Sequence, residues 1–294
     1  MPVKLRTPAS ILFLLITVTT IAAAQSAHRE RLQTPFQTLT LQEWVGRRLI
    51  FLPMSQELRV NGYQAFGVQE DEGAGQRQYD ALVGKVGTVT SVTGDKYPQV
   101  TLRLSDGATV AGKIYAEMLD GVGPADDIDS ARARYRGATL WTRSDPFVIA
   151  NVKNDSSMTA LEQETELKVI DVTAGAGSEQ PVRFIVRTPG GSEGYVDVHM
   201  SNTNVAGDLQ KSNGFHDTFL DVSPKTIRQW PAEIRKAIDD RRVLVGMSAA
   251  QVHMALGEPD GVYAVAGKPN RLLWVYAGGV SVQVEGEKVV ALGE

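Results

Sequence analysis

The chain has 294 residues, of which 34 are acidic, 30 basic and none cysteine. A net charge of −4 without a dense Lys/Arg run argues against nucleic acid, whose phosphates demand clustered cations. The missing cysteine removes disulfides, thiolate catalysis and a cysteine-linked lipid anchor, and the length points to two or three compact domains.

Lys4 and Arg6 open the chain, an uncharged apolar run follows over residues 11–24, and Ala22-Ala23-Ala24 ends it with small side chains. This is the grammar of a signal peptide over residues 1–24. Thr17, Thr19 and Thr20 interrupt the run and Gln25-Ser26 stops it, short of the roughly 20 apolar residues a retained anchor needs. Cleavage takes Lys4 and Arg6 away, moves the formal charge from −4 to −6, leaves no transmembrane segment and implies a periplasmic or secreted product.

Residues 25–40 are polar without an apolar period and read as a flexible entry segment. A first β module is predicted over 41–122. Leu49, Ile50, Phe51 and Leu52 form a strand-like run stopped by Pro53, and a polar loop over 69–78 contains Glu70-Asp71-Glu72. A strand over 86–92 follows, then Val100, Leu102 and Leu104 alternate with polar residues, and Asp106-Gly107 marks a tight hairpin turn before a return strand over 108–115.

A second module, 133–204, repeats the plan. Gly137-Ala138-Thr139-Leu140-Trp141 echoes Gly46-Arg47-Arg48-Leu49-Ile50, and Val182, Phe184 and Val186 alternate ahead of a Pro189-Gly190-Gly191 turn and a return over 194–199. Asp126-Asp127-x-Asp129, between the modules, lacks the glycine and terminal glutamate of a calcium loop and reads as solvated linker. Short strands joined by Gly/Pro turns suggest two small barrels or sandwiches. The strand, Asp-Gly turn, strand pattern and its partner at Pro189 to Gly191 resemble bacterial SH3-like domains, small barrels that hold peptides or peptidoglycan in the cell envelope.

Asn/Gly-rich residues 205–222 read as a linker to a domain over 223–294. Ser223-Pro224 offers an N-cap and first-turn proline, and Ile234 and Ile238 lie one helical turn apart beyond Trp230-Pro231. Ser248 and Gln251 form a capping box, Val252 and Leu256 an apolar face, and Gly257 and Pro259 a stop. A β-meander over residues 272–292 completes a helix pair on a three-stranded antiparallel sheet, so the expected fold is mainly β with a C-terminal α+β domain.

Gly246, Met247, Gln251, Val252, Leu256, Gly257 and Pro259, with the later Trp274-x-Tyr276, resemble the SmpA/OmlA (BamE-like) family over about 50 residues. That resemblance implies an envelope setting and a supporting role in the assembly of outer-membrane β-barrel proteins. Familiar members are anchored through a lipidated cysteine, which this chain lacks.

Catalytic signals are thin. The four histidines, His28, His199, His216 and His253, include no i, i+4 pair, and His253 is expected on an exposed helix face. No Gly-x-Ser-x-Gly elbow is present, and Pro189-Gly190-Gly191 is a hairpin turn rather than a phosphate cradle. No catalytic residue, cofactor or metal is therefore expected. Trp44, Tyr63, Phe66, Trp141 and Tyr195 are the candidates for a peptide groove, because aromatic rings bring large contact area at low entropic cost. The resulting expectation is an exported, non-catalytic binding or scaffold protein whose partners are envelope proteins or peptides, or peptidoglycan. The alternatives are an accessory to an envelope hydrolase and a hydrolase with an unrecognised carboxylate site.

Overall fold

The computed structural model describes residues 31–293 apart from 69–70, 145–146, 153, 208–209 and 211–213, and leaves the side chains of 154–156 undescribed. The expected signal peptide, 1–24, and residues 25–30 lie outside the described residues. Among the described residues strand outweighs helix, 39% against 24%, so the fold is mainly β. No helix among the described residues is long and apolar enough to cross a membrane.

The first β unit holds β1 (Arg48–Phe51), helix α1 (Gln56–Arg59), helix α2 (Ala74–Leu82), β2 (Val86–Thr93), β3 (Gln99–Leu104), β4 (Thr109–Lys113) and β5 (Val122–Pro124). Its strands lie in the order β4-β3-β2-β1-β5, all antiparallel. Period-two alternation sends Val100, Leu102 and Leu104 inward together, where they join Leu49, Phe51, Val89 and Val122. Gly107 turns the β3–β4 hairpin at φ +87°, a value costly for any residue with a Cβ. Helix α2 corrects part of the expected polar loop: Tyr79 and Leu82 bury themselves in this core although the surrounding residues are polar. Gly75 is obligatory there, since a Cβ would lie 2.1 Å from the Val60 carbonyl oxygen.

Helix α3 (Ala125–Tyr135) leads into the second unit, which holds β6 (Thr139–Thr142), β7 (Phe147–Asn151), β8 (Asn154–Leu161), β9 (Glu166–Gly177), β10 (Gln180–Arg187) and β11 (Glu193–Val198), then helix α4 (Phe215–Thr218) and β12 (Phe219–Leu220). The sheet order is β12-β6-β9-β10-β11-β7-β8. Without the β7–β8 hairpin at its edge, this is the order of the first unit: a first strand flanked by the second and the last, followed by a meander. Val182, Phe184 and Val186 are fully buried, and Phe184 meets Tyr135, Phe215 and Phe219 at ring-centroid distances of 5.4–5.7 Å.

Three segments expected to be solvated belong to the packed structure. Asp126 to Asp129 lie in α3, whose Ile128, Ala131 and Tyr135 form an i, i+3, i+7 stripe in the second core. Within 205–222, Phe215 and Phe219 enter the same core and β12 pairs with β6. Residues 31–40 have no apolar period because they send single anchors into three different places. The Leu32 amide bonds the Val262 carbonyl at 2.8 Å, Phe36 enters the second core, and Leu39 packs on the first.

The C-terminal unit comprises α5 (Pro224–Gln229), α6 (Ala232–Asp239), α7 (Ala249–Leu256), β13 (Gly261–Val265), β14 (Lys268–Val275), β15 (Ser281–Glu285) and β16 (Lys288–Gly293). The sheet is four-stranded, β13-β14-β15-β16, rather than three-stranded, because residues 261–265 pair with β14 instead of looping. The Ser248–Gln251 capping box is formed in both directions, at 3.3 and 2.8 Å. Gly257 ends α7 at φ +81°. Met247, Val252, Trp274 and Tyr276 are buried together in this core.

Truncation of Phe184 to alanine should cost about 3–5 kcal/mol, because three aromatic neighbours, Tyr135, Phe215 and Phe219, lose their common contact and cannot all collapse into the space. Loss of the Ser248 cap in Ser248→Ala should cost about 1 kcal/mol. Urea unfolding of the two variants should rank them in that order.

Candidate functional site

Among the described residues, two places have the chemistry of a site. One is a buried polar joint between the second β unit and the C-terminal unit. The Gly257 turn sets Glu258 directly beyond α7, with its side chain 9% exposed. Arg134 of α3 reaches one carboxylate oxygen, with Nη1 3.2 Å from Oε1, and its Nη2 lies 3.5 Å from Asp221 Oδ2. His216 Nε2 of α4 lies 3.5 Å from Oε1, and His253 Nδ1 of α7 lies 3.3 Å from Oε2 and 3.2 Å from the Gly257 carbonyl oxygen.

His253 therefore does not occupy an exposed face. Its ring packs on Trp274, with centroids 4.8 Å apart, and lies nearly parallel to the His216 ring at 5.8 Å. Burial holds the His253 imidazole below its ordinary pKa. Burial would push the Glu258 carboxyl up, but His216, His253 and the permanently charged Arg134 overrule it and hold it at about 2. His216 is 6% exposed, and although it approaches Glu258, neither ring nitrogen has a hydrogen bond of acceptable geometry among the described residues. The Tyr135 and Tyr276 hydroxyls, both within the field of Glu258, are likewise buried without hydrogen-bond partners among the described residues. Each such group costs about 1–3 kcal/mol unless something meets it.

A polar cavity of about 90 Å³ opens beside this joint, lined by Arg143, His199, Ser201, His216 and Glu258. Arg143 donates to the carbonyl oxygens of His216 and Met254, tying α4 to α7, and burial lowers its guanidinium pKa. Asp127, buried in α3, accepts from the Ser201 amide at 3.1 Å and the Ser201 hydroxyl at 2.6 Å. Its carboxyl is pushed up to about 7, chiefly by burial, with the charges of Asp126 and Glu258 adding to the shift. In chemical terms, His216, His253 and Glu258 are a metal-ligand set, with one donor atom from each within 4.8 Å of the others. Sequence spacing concealed it because the ligands come from two helices 37 positions apart and from the turn after the second.

The second place is an apolar groove of about 450 Å³ between the β3–β4 end of the first unit and the segments 38–41 and 202–205. Leu39, Leu41, Trp44, Ile114 and Val205 lie along it, with Asp95, Lys96 and Glu117 beside them. Tyr97 and Tyr115 are both more than half exposed, with ring centroids 5.7 Å apart. Ala116 and Glu117 hold positive φ values of 46° and 66°, a strained backbone that surrounding structure must enforce. Asn204, at φ +62°, pins the far wall: its amide donates to the carbonyl oxygens of Leu119 and Val122, at 3.0 and 2.9 Å.

Of the five residues expected to share a groove, only Trp44 lines this one. Tyr63 is fully buried in the first core, its hydroxyl donating to the Leu52 carbonyl at 2.6 Å, and half-buried Phe66 packs on Phe51. Trp141 packs against the C-terminal core, and Tyr195 lies under the Arg183 guanidinium, 3.6 Å from its ring centroid. The exposed pair was readable from the hairpin: the register Arg103↔Thr109 and Gln99↔Lys113, extended outward by one more step on the same face, sets 97 across from 115.

Asp127 gives the joint a pH dependence. A carboxyl with a folded-state pKa raised above its unfolded value contributes most stability below about pH 4, and that contribution is lost as pH rises through about 7. Asp127→Asn, which keeps an acceptor for Ser201, should remove the decline between pH 4 and 7 in thermal melts and raise stability at pH 8 by on the order of a few kcal/mol.

Comparison with protein-family models, with curated proteins and with solved structures finds no match to this chain.

Proposed function

We propose that this chain is an exported, non-catalytic binding protein of the bacterial cell envelope that holds an extended peptide segment of a partner protein in the groove of its first β unit. The exposed Tyr97–Tyr115 pair beside an apolar groove carries the reading. Tyr97 lines the groove and its ring lies 5.7 Å from that of Tyr115, so two exposed aromatic rings beside an apolar channel offer the rigid contact area that dominates peptide recognition. Acidic Asp95 and Glu117 with basic Lys96 give the rim both signs of charge, which suits a peptide backbone and mixed side chains better than a polyanion.

Further support comes from three sides. The leader pattern at residues 1–24 favours export to the periplasm or medium. The order β4-β3-β2-β1-β5, recurring as β11-β10-β9-β6-β12, favours the SH3-like reading of both units. The α7 cap and the sheet carrying Trp274 and Tyr276 favour the BamE-like reading of residues 223–294, and with it a supporting role in outer-membrane protein assembly.

Mature protein should bind fluorescently labelled peptides drawn from envelope proteins, read by fluorescence polarisation. Tyr97→Ala and Tyr115→Ala should each weaken binding about tenfold, with no change in melting temperature, because both rings are exposed. Retention on purified peptidoglycan with no peptide binding would favour the accessory to a wall hydrolase. Turnover of a peptide or glycan would replace the binding reading with the hydrolase.

A further inference from the structure

We propose that His216, His253 and Glu258 bind one divalent transition-metal ion of the zinc class, which locks the C-terminal unit onto the second β unit. This site is separate from the peptide groove and does not rest on it.

The donor set carries the assignment. Two imidazoles and a carboxylate are a standard three-ligand zinc set, and the fourth position of such a site is filled by water. With bonds of about 2.0–2.1 Å, tetrahedral ligand atoms stand roughly 3.4 Å apart. Glu258 Oε2 already meets this spacing, at 3.3 Å from His253 Nδ1, and the other carboxylate oxygen, Oε1, lies 3.5 Å from His216 Nε2. All three donors lie within 4.8 Å of one another, so the imidazole pair is at most about 1.4 Å wider than a tetrahedral site requires.

A second, independent observation points the same way. His216 is 6% exposed, and among the described residues neither of its ring nitrogens has a hydrogen-bond partner. A metal ion satisfies one of them directly, and water in the adjoining 90 Å³ cavity can reach the joint as the fourth ligand.

To ligate, His253 Nδ1 gives up its proton and its 3.2 Å contact with the Gly257 carbonyl oxygen. Arg134 is the competitor for the carboxylate, since its guanidinium lies 3.2 Å from Glu258 Oε1. It does not block the site. The ion takes Oε2, the oxygen facing His253, while Arg134 keeps Oε1 or leans back on Asp221, its second carboxylate partner at 3.5 Å. A dication also neutralises the buried carboxylate better than a partly exposed guanidinium can. Because α4 belongs to the second β unit and α7 to the C-terminal unit, the bond network spans the joint that Arg143 already stitches through the carbonyl oxygens of His216 and Met254.

The test uses untagged mature protein stripped with a chelator and titrated with zinc chloride by calorimetry. The expected result is one equivalent bound at micromolar affinity or tighter, with melting raised by about 5–10 °C at a hundredfold excess over the dissociation constant. Glu258→Gln and His253→Gln should each weaken binding at least about tenfold. Cobalt added to the unaltered protein should give the intense visible bands of a four-coordinate site, and X-ray absorption of the zinc form should count two imidazoles, which keeps the test decisive if a variant misfolds. No stoichiometric binding, unchanged affinity in both variants when folded, or an X-ray absorption spectrum without imidazole would overturn the assignment.

Discussion

The constraint on which the assembly turns is the charge of Glu258. A carboxylate taken almost wholly out of water is tolerated only where opposite charge and donors surround it, since its desolvation alone costs several kcal/mol. Arg134, His216 and His253 have to converge there, and with them α3, α4 and α7 are held in one arrangement. Packing alone would let α7 slide on its apolar face. A buried ion cluster does not, because any displacement leaves a charge without its partner.

Helix α3 transmits this constraint to the rest of the chain. Its outer face pairs Asp126 and Asp129 with Arg48 of β1, its apolar stripe fills the second core, and Arg134 near its end meets Glu258. The segment 31–40 does the same work by other means, with one anchor in each unit. The three units thus share elements instead of sitting like beads on linkers. The groove is a product of that sharing, because Asn204 and Val205 along it come from the segment between β11 and α4 of the second unit and Trp44 from the first.

Legibility in the sequence followed the range of the forces involved. Alternation in β3, β10 and β15, the Asp106-Gly107 turn and the Ser248 capping box were all readable because each depends on residues within a few positions. Helix α3 was missed because its stripe of Ile128, Ala131 and Tyr135 is diluted by acidic residues that look solvated. One of them, Asp127, is buried because Ser201 lies 74 positions away and donates to it twice. Phe215 and Phe219 were hidden by Asn/Gly-rich surroundings, although two phenylalanines four apart are a poor fit to a solvated linker.

Local chemistry, then, determined the strands, turns, caps and mainly β character, because backbone hydrogen bonding and side-chain period are properties of short stretches of chain. Which aromatic residues stand exposed was decided only by tertiary structure: Tyr63 and Tyr97 are alike in sequence, yet one is sealed in a core and the other open to water. The His216–His253–Glu258 cluster is likewise a tertiary product. Its members are brought together by the packing of α4 against α7, and no spacing along the chain encodes a distance across an interface.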